Sequence, residues 1–292
     1  MEELIKNRID FLMLKLQLPD HISQSGSVLK RKAGIWQGID SYKDMDMYVI
    51  RNASLQIPIP KDIHPLMEST KPDMPWAESH FQERISGKPS NPGESYKIWP
   101  YAQFQETNDL FKKTQTQQFD HSYMERFWPK YAGIYQDEFR DRIPPKGQFW
   151  YDEEDINKGI RFDYGDYEDV ITQLAENQLT RQAYLPIFFP EDTGAKNNMR
   201  VPCTLGYLFE IWDGKLDMTY YIRSCDAFRH FRNDIYMAGR LIQYTCQQLL
   251  INGVKDIEPG SLNMQIANLH IFENDLYPFK QKEKKIKNGT NQ

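Results

Sequence analysis

Cys203 follows a proline and stands ten residues before Asp213, and Arg223 stands ten residues after it. A hairpin turning at Asp213-Gly214 brings these two ends together, so a thiol and a guanidinium become neighbours. An adjacent positive charge lowers a cysteine pKa enough to populate the thiolate, the form that attacks carbon. Read alone, an arginine more commonly pairs with a surface acid. A cysteine is more commonly a small buried hydrophobe, which is the role expected of Cys225 and Cys246. Pro202 beside the thiol and Ser224 beside the guanidinium weigh towards a site for nucleophilic chemistry. Further on, Asn233-Asp234 sits in the first turn of a helical stretch, and His270 sits in the strand-like run Leu269 to Phe272. By themselves the first pair reads as a helix cap and an acid on the helix dipole, and the histidine as a structural group. Three cysteines without a Cys-x-x-Cys or Cys/His spacing give neither a disulfide framework nor a metal site.

The elements that must position these groups follow from periodicity. Val201, Cys203, Leu205, Tyr207, Phe209 and Ile211 alternate on one strand face, and Leu216, Met218, Tyr220 and Ile222 on its partner. Residues 233–250 predict a helix with Ile235, Ala238, Ile242, Thr245 or Cys246, and Leu249 on one stripe. A helix is expected over 164–177, with Tyr167, Val170, Ile171 and Leu174 inward; Thr180-Arg181 ends it before a buried strand at 183–189. Upstream, residues 3–17 carry amphipathic helical spacing, and the pattern of 41–59 is strand-like. The stretch from Pro58 to Pro100 carries eight prolines and a short helix around 76–85.

Composition bounds the answer further. The chain has 292 residues, 40% hydrophobic and 26% charged, enough to bury one large core, and no Gly/Ser-rich linker demands two. Its net charge of -5 argues against non-specific binding to nucleic acid, so a nucleotide must be held in a local basic site. No window nears 18 uninterrupted apolar residues, and no signal-peptide pattern opens the sequence, so no membrane role and a cytoplasmic location are expected. A single domain spanning 1–292 is expected, with a recognisable core at 125–279, a divergent part at 1–124 and a basic tail at 280–292.

Taken together, Pro202-Cys203, the block Arg223-Ser224-x-Asp226 and the pair His270-x-Phe272 resemble the motifs of the thymidylate synthase family, most of all its cytidylate hydroxymethylases. The likeness runs over roughly residues 160–276, with an echo at Tyr131-Ala132-Gly133. It implies an α+β fold in which a mixed sheet packs with helices and two copies join sheet to sheet. It also implies roles. Cys203 is the nucleophile and Tyr131 an aid to proton removal at C5. Arg223, Ser224 and Arg181 bind phosphate, Arg181 reaching across a homodimer. Asp226 orients base and folate, and His270 and Phe272 hold the sugar. Glu94 is the candidate for the family's folate-facing glutamate.

The departures from the family pattern carry the specificity. Eleven residues beyond the motif arginine the synthases place an asparagine that pairs with uracil, and the same count here reaches Asp234. A carboxylate accepts only, which suits the amino group of cytosine and clashes with O4 of uracil. A slip of one residue would present Asn233 and restore uracil. Phe272 stands where a tyrosine hydroxyl is usual, Ile222 where a glutamine is, and His230 where a glycine is. The polar tail from Lys280 to Gln292 replaces an apolar C-terminus that seals the synthase site, and an open site lets water in place of hydride reach the exocyclic methylene. The resemblance therefore implies a hydroxymethyltransferase that moves a one-carbon unit from 5,10-methylenetetrahydrofolate to C5 of dCMP or CMP through a Cys203–C6 adduct. No metal is implied. The product would serve phage DNA modification, in a host cytoplasm, or nucleoside antibiotic synthesis. The alternatives are a thymidylate synthase or hydroxymethylase acting on dUMP, and a non-catalytic nucleotide-binding relative.

Overall fold

In the computed structural model the described residues are 29–33, 45–100, 119, 121–130, 165–193 and 201–276. The expected first helix at 3–17, Tyr131 and the basic tail lie outside them. The strands are β1 (Leu29–Lys32), β2 (Asp46–Pro58), β3 (Tyr184–Pro186), β4 (Thr204–Trp212), β5 (Lys215–Ile222), β6 (Cys225–Asp226) and β7 (Glu258–Phe272). The helices are α1 (His64–Thr70), α2 (Trp76–Arg84), α3 (Tyr123–Phe127), α4 (Tyr167–Glu176), α5 (Pro190–Thr193) and α6 (Phe231–Ile251). Helices and a mixed sheet share one core, the α+β class expected.

The strands form one sheet in the order β1-β2-β7-β5-β4-β3, with β6 pairing on β7. β7 runs antiparallel to β2 and parallel to β5 and β6. This is what brings Arg223 to Asp226, at the end of β5 and through β6, alongside His270 near the end of β7. The helix α6 covers the sheet. Its stripe Ile235, Ala238, Ile242, Thr245, Cys246 and Leu249 is buried as the periodicity requires. At roughly 1.5–3 kcal/mol per buried aliphatic side chain, that stripe fixes the helix on the sheet more firmly than any single polar contact.

Two elements are shorter than their sequence patterns suggest. The helix expected over 164–177 spans Tyr167–Glu176, and the buried strand at 183–189 pairs only over Tyr184–Pro186. The helix is bounded by Asp166, whose capping box with Asp169 sets its start, and by Asn177 at its end; at the strand the apolar run outlasts the hydrogen-bonded element, because apolar residues past its end still pack into the core. Ala183 and Ile187 are fully buried on either side of the short strand.

The helix α2 is clamped to α6 by Glu78, which accepts from the Tyr236 hydroxyl at 2.7 Å and from the Arg240 guanidinium at 2.9 and 3.2 Å. Among the described residues no helix is long and apolar enough to cross a membrane.

Candidate active site

The hairpin β4–β5 turns at Asp213-Gly214 with φ of 48° and 73°, the left-handed pair that a two-residue turn requires and that Asp-Gly accepts. Such a turn pairs residues whose numbers sum to 427, as Trp212 with Lys215 and Tyr207 with Tyr220. Left undisturbed, it would set Thr204, not Cys203, opposite Arg223. A bulge between Thr204 and Gly206 takes up one residue, so Thr204 pairs with Ile222 and the Arg223 amide donates to the Cys203 carbonyl at 2.9 Å. The juxtaposition read from equal spacing is therefore correct, but the bulge creates it. The bulge also corrects the expected alternation. Thr204, fully buried, turns inward where Cys203 was expected to share the face of Tyr207, and Cys203 is left exposed.

Arg223 braces the segment that carries Cys203. Its Nε donates to the Pro202 carbonyl at 2.8 Å and its Nη2 to the Val201 carbonyl at 3.0 Å, which sets Nη2 3.8 Å from the Cys203 sulfur. Ser224 Oγ lies 3.3 Å from Nδ1 of His270, a buried imidazole whose pKa burial pushes down. The His270 ring meets Phe272 edge to face, with centroids 5.2 Å apart. Thus Arg223, Ser224, His270 and Phe272 stand in one row across the ends of β5, β6 and β7.

Asp226 belongs to the same row, but its carboxylate faces inward. It accepts from the amides of Phe228 and Arg229 at 2.9 and 3.0 Å and from the Arg229 guanidinium at 2.9 Å, and Arg229 in turn grips Asp275 with two bonds of 2.5 and 2.6 Å. In the described structure Asp226 secures the turn into α6, with its carboxylate engaged by the protein's own donors.

Asn233 and Asp234 point in different directions. The Asn233 amide is buried and engaged: its oxygen accepts from the Asp73 amide at 2.8 Å, and its nitrogen donates to the Asp73 carboxylate at 2.9 Å and to the Arg229 carbonyl at 3.1 Å. Asp234 turns instead towards the thiol of Cys225, which donates to it at 3.5 Å. Burial raises its carboxyl from the usual 3.8 to about 6, and the positive charge of Arg84 draws it part of the way back. Helix α6 begins at Phe231, so neither residue is its cap.

Beneath Cys203 lies a polar cluster that the sequence did not disclose. Thr204 donates to the Tyr123 hydroxyl at 3.2 Å and lies 2.9 Å from that of Tyr220. The guanidinium of Arg84 stacks over the Tyr123 ring at 4.1 Å. No motif marks these residues, and a basic residue in the last turn of a helix reads as a partner of the helix dipole.

Two of the expected residues stand apart from the group. Arg181 is exposed beyond the end of α4. Glu94, on the 3-10 turn Glu94–Ile98, is exposed and paired with Lys97. Among the described residues no group of three or more His, Cys, Asp or Glu is placed to hold a metal ion.

An exposed cysteine beside a guanidinium and a serine–histidine row stand together at one end of the sheet. The family model described as thymidylate synthase matches residues 95–290. The chain belongs to the thymidylate synthase family. It is 23% identical over 182 residues to a thymidylate synthase of Mycoplasma pneumoniae, covering 62% of this chain and 55% of that protein. Over 73 residues it is 34% identical to a thymidylate synthase of Rhizorhabdus wittichii, covering 25% of this chain and 22% of that one. The chain thus spans about half the length, or less, of these relatives. A solved thymidylate synthase from T4 phage superposes with a TM-score of 0.55 at 15% identity, covering 94% of this chain and 79% of that chain, so the fold is thymidylate synthase-like.

Proposed function

We propose that this member of the thymidylate synthase family transfers a one-carbon unit to C5 of a cytidylate, dCMP in first place, and releases the 5-hydroxymethyl product. The observation that carries this reading is the division of labour between Asn233 and Asp234. With the Asn233 amide taken up by Asp73 and Arg229, the neighbouring Asp234, whose carboxylate takes its one hydrogen bond among the described residues from a thiol, is the group that would read the base, an acceptor suited to the N4 amino group of cytosine.

In this reading Cys203 adds to C6 of the pyrimidine, with Arg223 beside the sulfur. That addition makes C5 nucleophilic enough to take up the one-carbon unit. Arg223 and Ser224 face the phosphate, His270 and Phe272 the sugar. Arg181, exposed on its own chain, would complete the phosphate site of a second copy. The co-substrate, 5,10-methylenetetrahydrofolate, supplies carbon at the oxidation level of formaldehyde. The rings of Trp99 and His230 stack at an interplanar angle of 10° where α6 begins, and a planar wall of this kind fits a pterin, so these two residues would hold it. Loss of the C5 proton and departure of tetrahydrofolate would then leave an exocyclic methylene; water adds to it, as the resemblance to the hydroxymethylases implies, and the Cys203 thiolate leaves C6 as the C5–C6 double bond re-forms.

The pKa of Asp234 also favours a second reading. A carboxyl that titrates at about 6 carries a proton in part of the population, and the protonated form donates to O4 of uracil. Use of dUMP would therefore grow as pH falls. The test is tritium release from C5 of dCMP, CMP and dUMP with methylenetetrahydrofolate, with products identified by mass, in wild type and Cys203→Ala. Cys203-dependent release from a cytidylate with a hydroxymethyl product is expected. Release from dUMP alone, with dihydrofolate formed, would assign a thymidylate synthase. No release from any of the three would leave a nucleotide-binding relative.

A further inference from the structure

Arg84 closes the last turn of α2 with only 6% of its surface exposed. Among the described residues its guanidinium has no carboxylate within ion-pairing reach and makes no hydrogen bond, and its buried Nε has no partner. It is held from the side by the Tyr123 ring at 4.1 Å and by the clamp of α2 on α6. The Tyr123 hydroxyl accepts from Thr204, the neighbour of the nucleophile. Burying a cation without an anion is costly, and folded chains rarely keep one unless a ligand completes it. The charge of Arg84 also reaches Asp234. The protein therefore keeps an unpaired guanidinium on the inner side of the strand start that carries Cys203, within electrostatic reach of Asp234.

Building on the cytidylate reading, we propose that Arg84 is a further substrate-contacting residue, donating to N3 of the cytosine ring while Asp234 accepts from N4. A neutral cytosine offers a donor at N4 next to an acceptor at N3, so a carboxylate alone matches half of that edge and demands a protonated ring for the rest. The Asp234–Arg84 pair matches both atoms of the neutral base. The same placement serves the reaction. When the thiolate bonds to C6, the C5–C6 double bond opens, a double bond forms between C5 and C4, and the electron pair of the C4–N3 double bond moves onto N3. A fixed guanidinium at N3 faces that charge as it develops, which is where electrostatic stabilisation acts on rate.

The test compares dCMP with its 3-deaza analogue, in which C–H replaces N3. Binding of both is measured to Cys203→Ala protein, with and without Arg84→Gln. With Arg84 present, dCMP is expected to bind at least tenfold more tightly than the analogue, and Arg84→Gln should bring the ratio close to one. A ratio that Arg84→Gln leaves unchanged overturns the proposal. In the Cys203-containing enzyme Arg84→Met should lower kcat for dCMP about 100-fold, the scale of one lost transition-state donor, with the rate of Cys203 alkylation by iodoacetamide unchanged. A fall in alkylation by the same factor would mean that Arg84 acts through the thiol and would also overturn the proposal. Should Arg84→Met fail to fold, the binding ratios with Arg84→Gln decide. If the parent enzyme turns over dUMP and no cytidylate, the functional reading has failed. If it turns over dCMP and Arg84→Gln does so within threefold of the parent, only the role of Arg84 has failed.

Discussion

Replacing Asp234 with asparagine should change stability and base choice together, and the structure sets the size of the first effect. Burial raises the Asp234 carboxyl from 3.8 to about 6 in the folded protein. A carboxyl with a raised folded-state pKa destabilises the fold wherever it is ionised: the penalty is absent below 3.8, grows as pH rises, and is complete above about 6. The interval between those values corresponds to at most about 3 kcal/mol at pH 8, and to about half of that at pH 5. Asp234→Asn removes the penalty while keeping an oxygen for the Cys225 thiol. The variant should therefore be more stable than wild type in urea unfolding at pH 8, with a smaller margin at pH 5. In the same protein the amide can donate to O4 of uracil and accept from its N3–H, so C5 tritium release should shift from dCMP towards dUMP. A stability difference that is the same at both pH values would refute the claim that burial of this carboxyl sets its titration. An unchanged preference for dCMP would refute its role in reading the base.

Other consequences can be checked with simpler measurements. Iodoacetamide at neutral pH should alkylate Cys203 and leave Cys225 and Cys246 intact, because burial pushes the thiol of Cys225 up and that of Cys246 to about 12; a second adduct by mass spectrometry would contradict this. Asn233→Ala should lower unfolding stability by about 1–3 kcal/mol, since it removes the acceptor of the Asp73 amide and one donor to the Asp73 carboxylate, which keeps its bond from Arg232; a neutral result in urea would show that this contact does not hold the loop. Arg229→Met should cost about 3–5 kcal/mol by stranding Asp226 and Asp275 as buried carboxylates, and an unchanged unfolding midpoint would refute the network's role.

The parts of the site whose partners lie near in the chain can be read from residue order and local geometry. Two positive-φ residues at Asp213-Gly214 can make only a tight hairpin, and that hairpin, wherever its register falls, gathers the strand ends that carry Cys203 and Arg223. The 3.6-residue stripe of α6 is likewise a local property, so the core face of that helix was legible before any fold was known. Cys225 and Cys246 read as buried hydrophobes for the same reason.

The tertiary structure alone decided what depends on contacts between distant segments. The bulge at Thr204 to Gly206, which sets Cys203 rather than Thr204 opposite Arg223, has no signature in the sequence, since both registers keep apolar residues inward over most of the strand. Asn233 and Asp234 are neighbours in the chain, and it is Asp73, 160 residues away, that engages the amide of the first and leaves the second alone. The engagement of Asp226 by Arg229, which also grips Asp275 46 residues further on, is likewise settled only by the fold. Arg84 lies in a helix 119 residues before Cys203, and its spacing says only that it ends a helix. A buried cation can be recognised as unpaired only when everything around it is in place, because pairing is a property of the assembled interior.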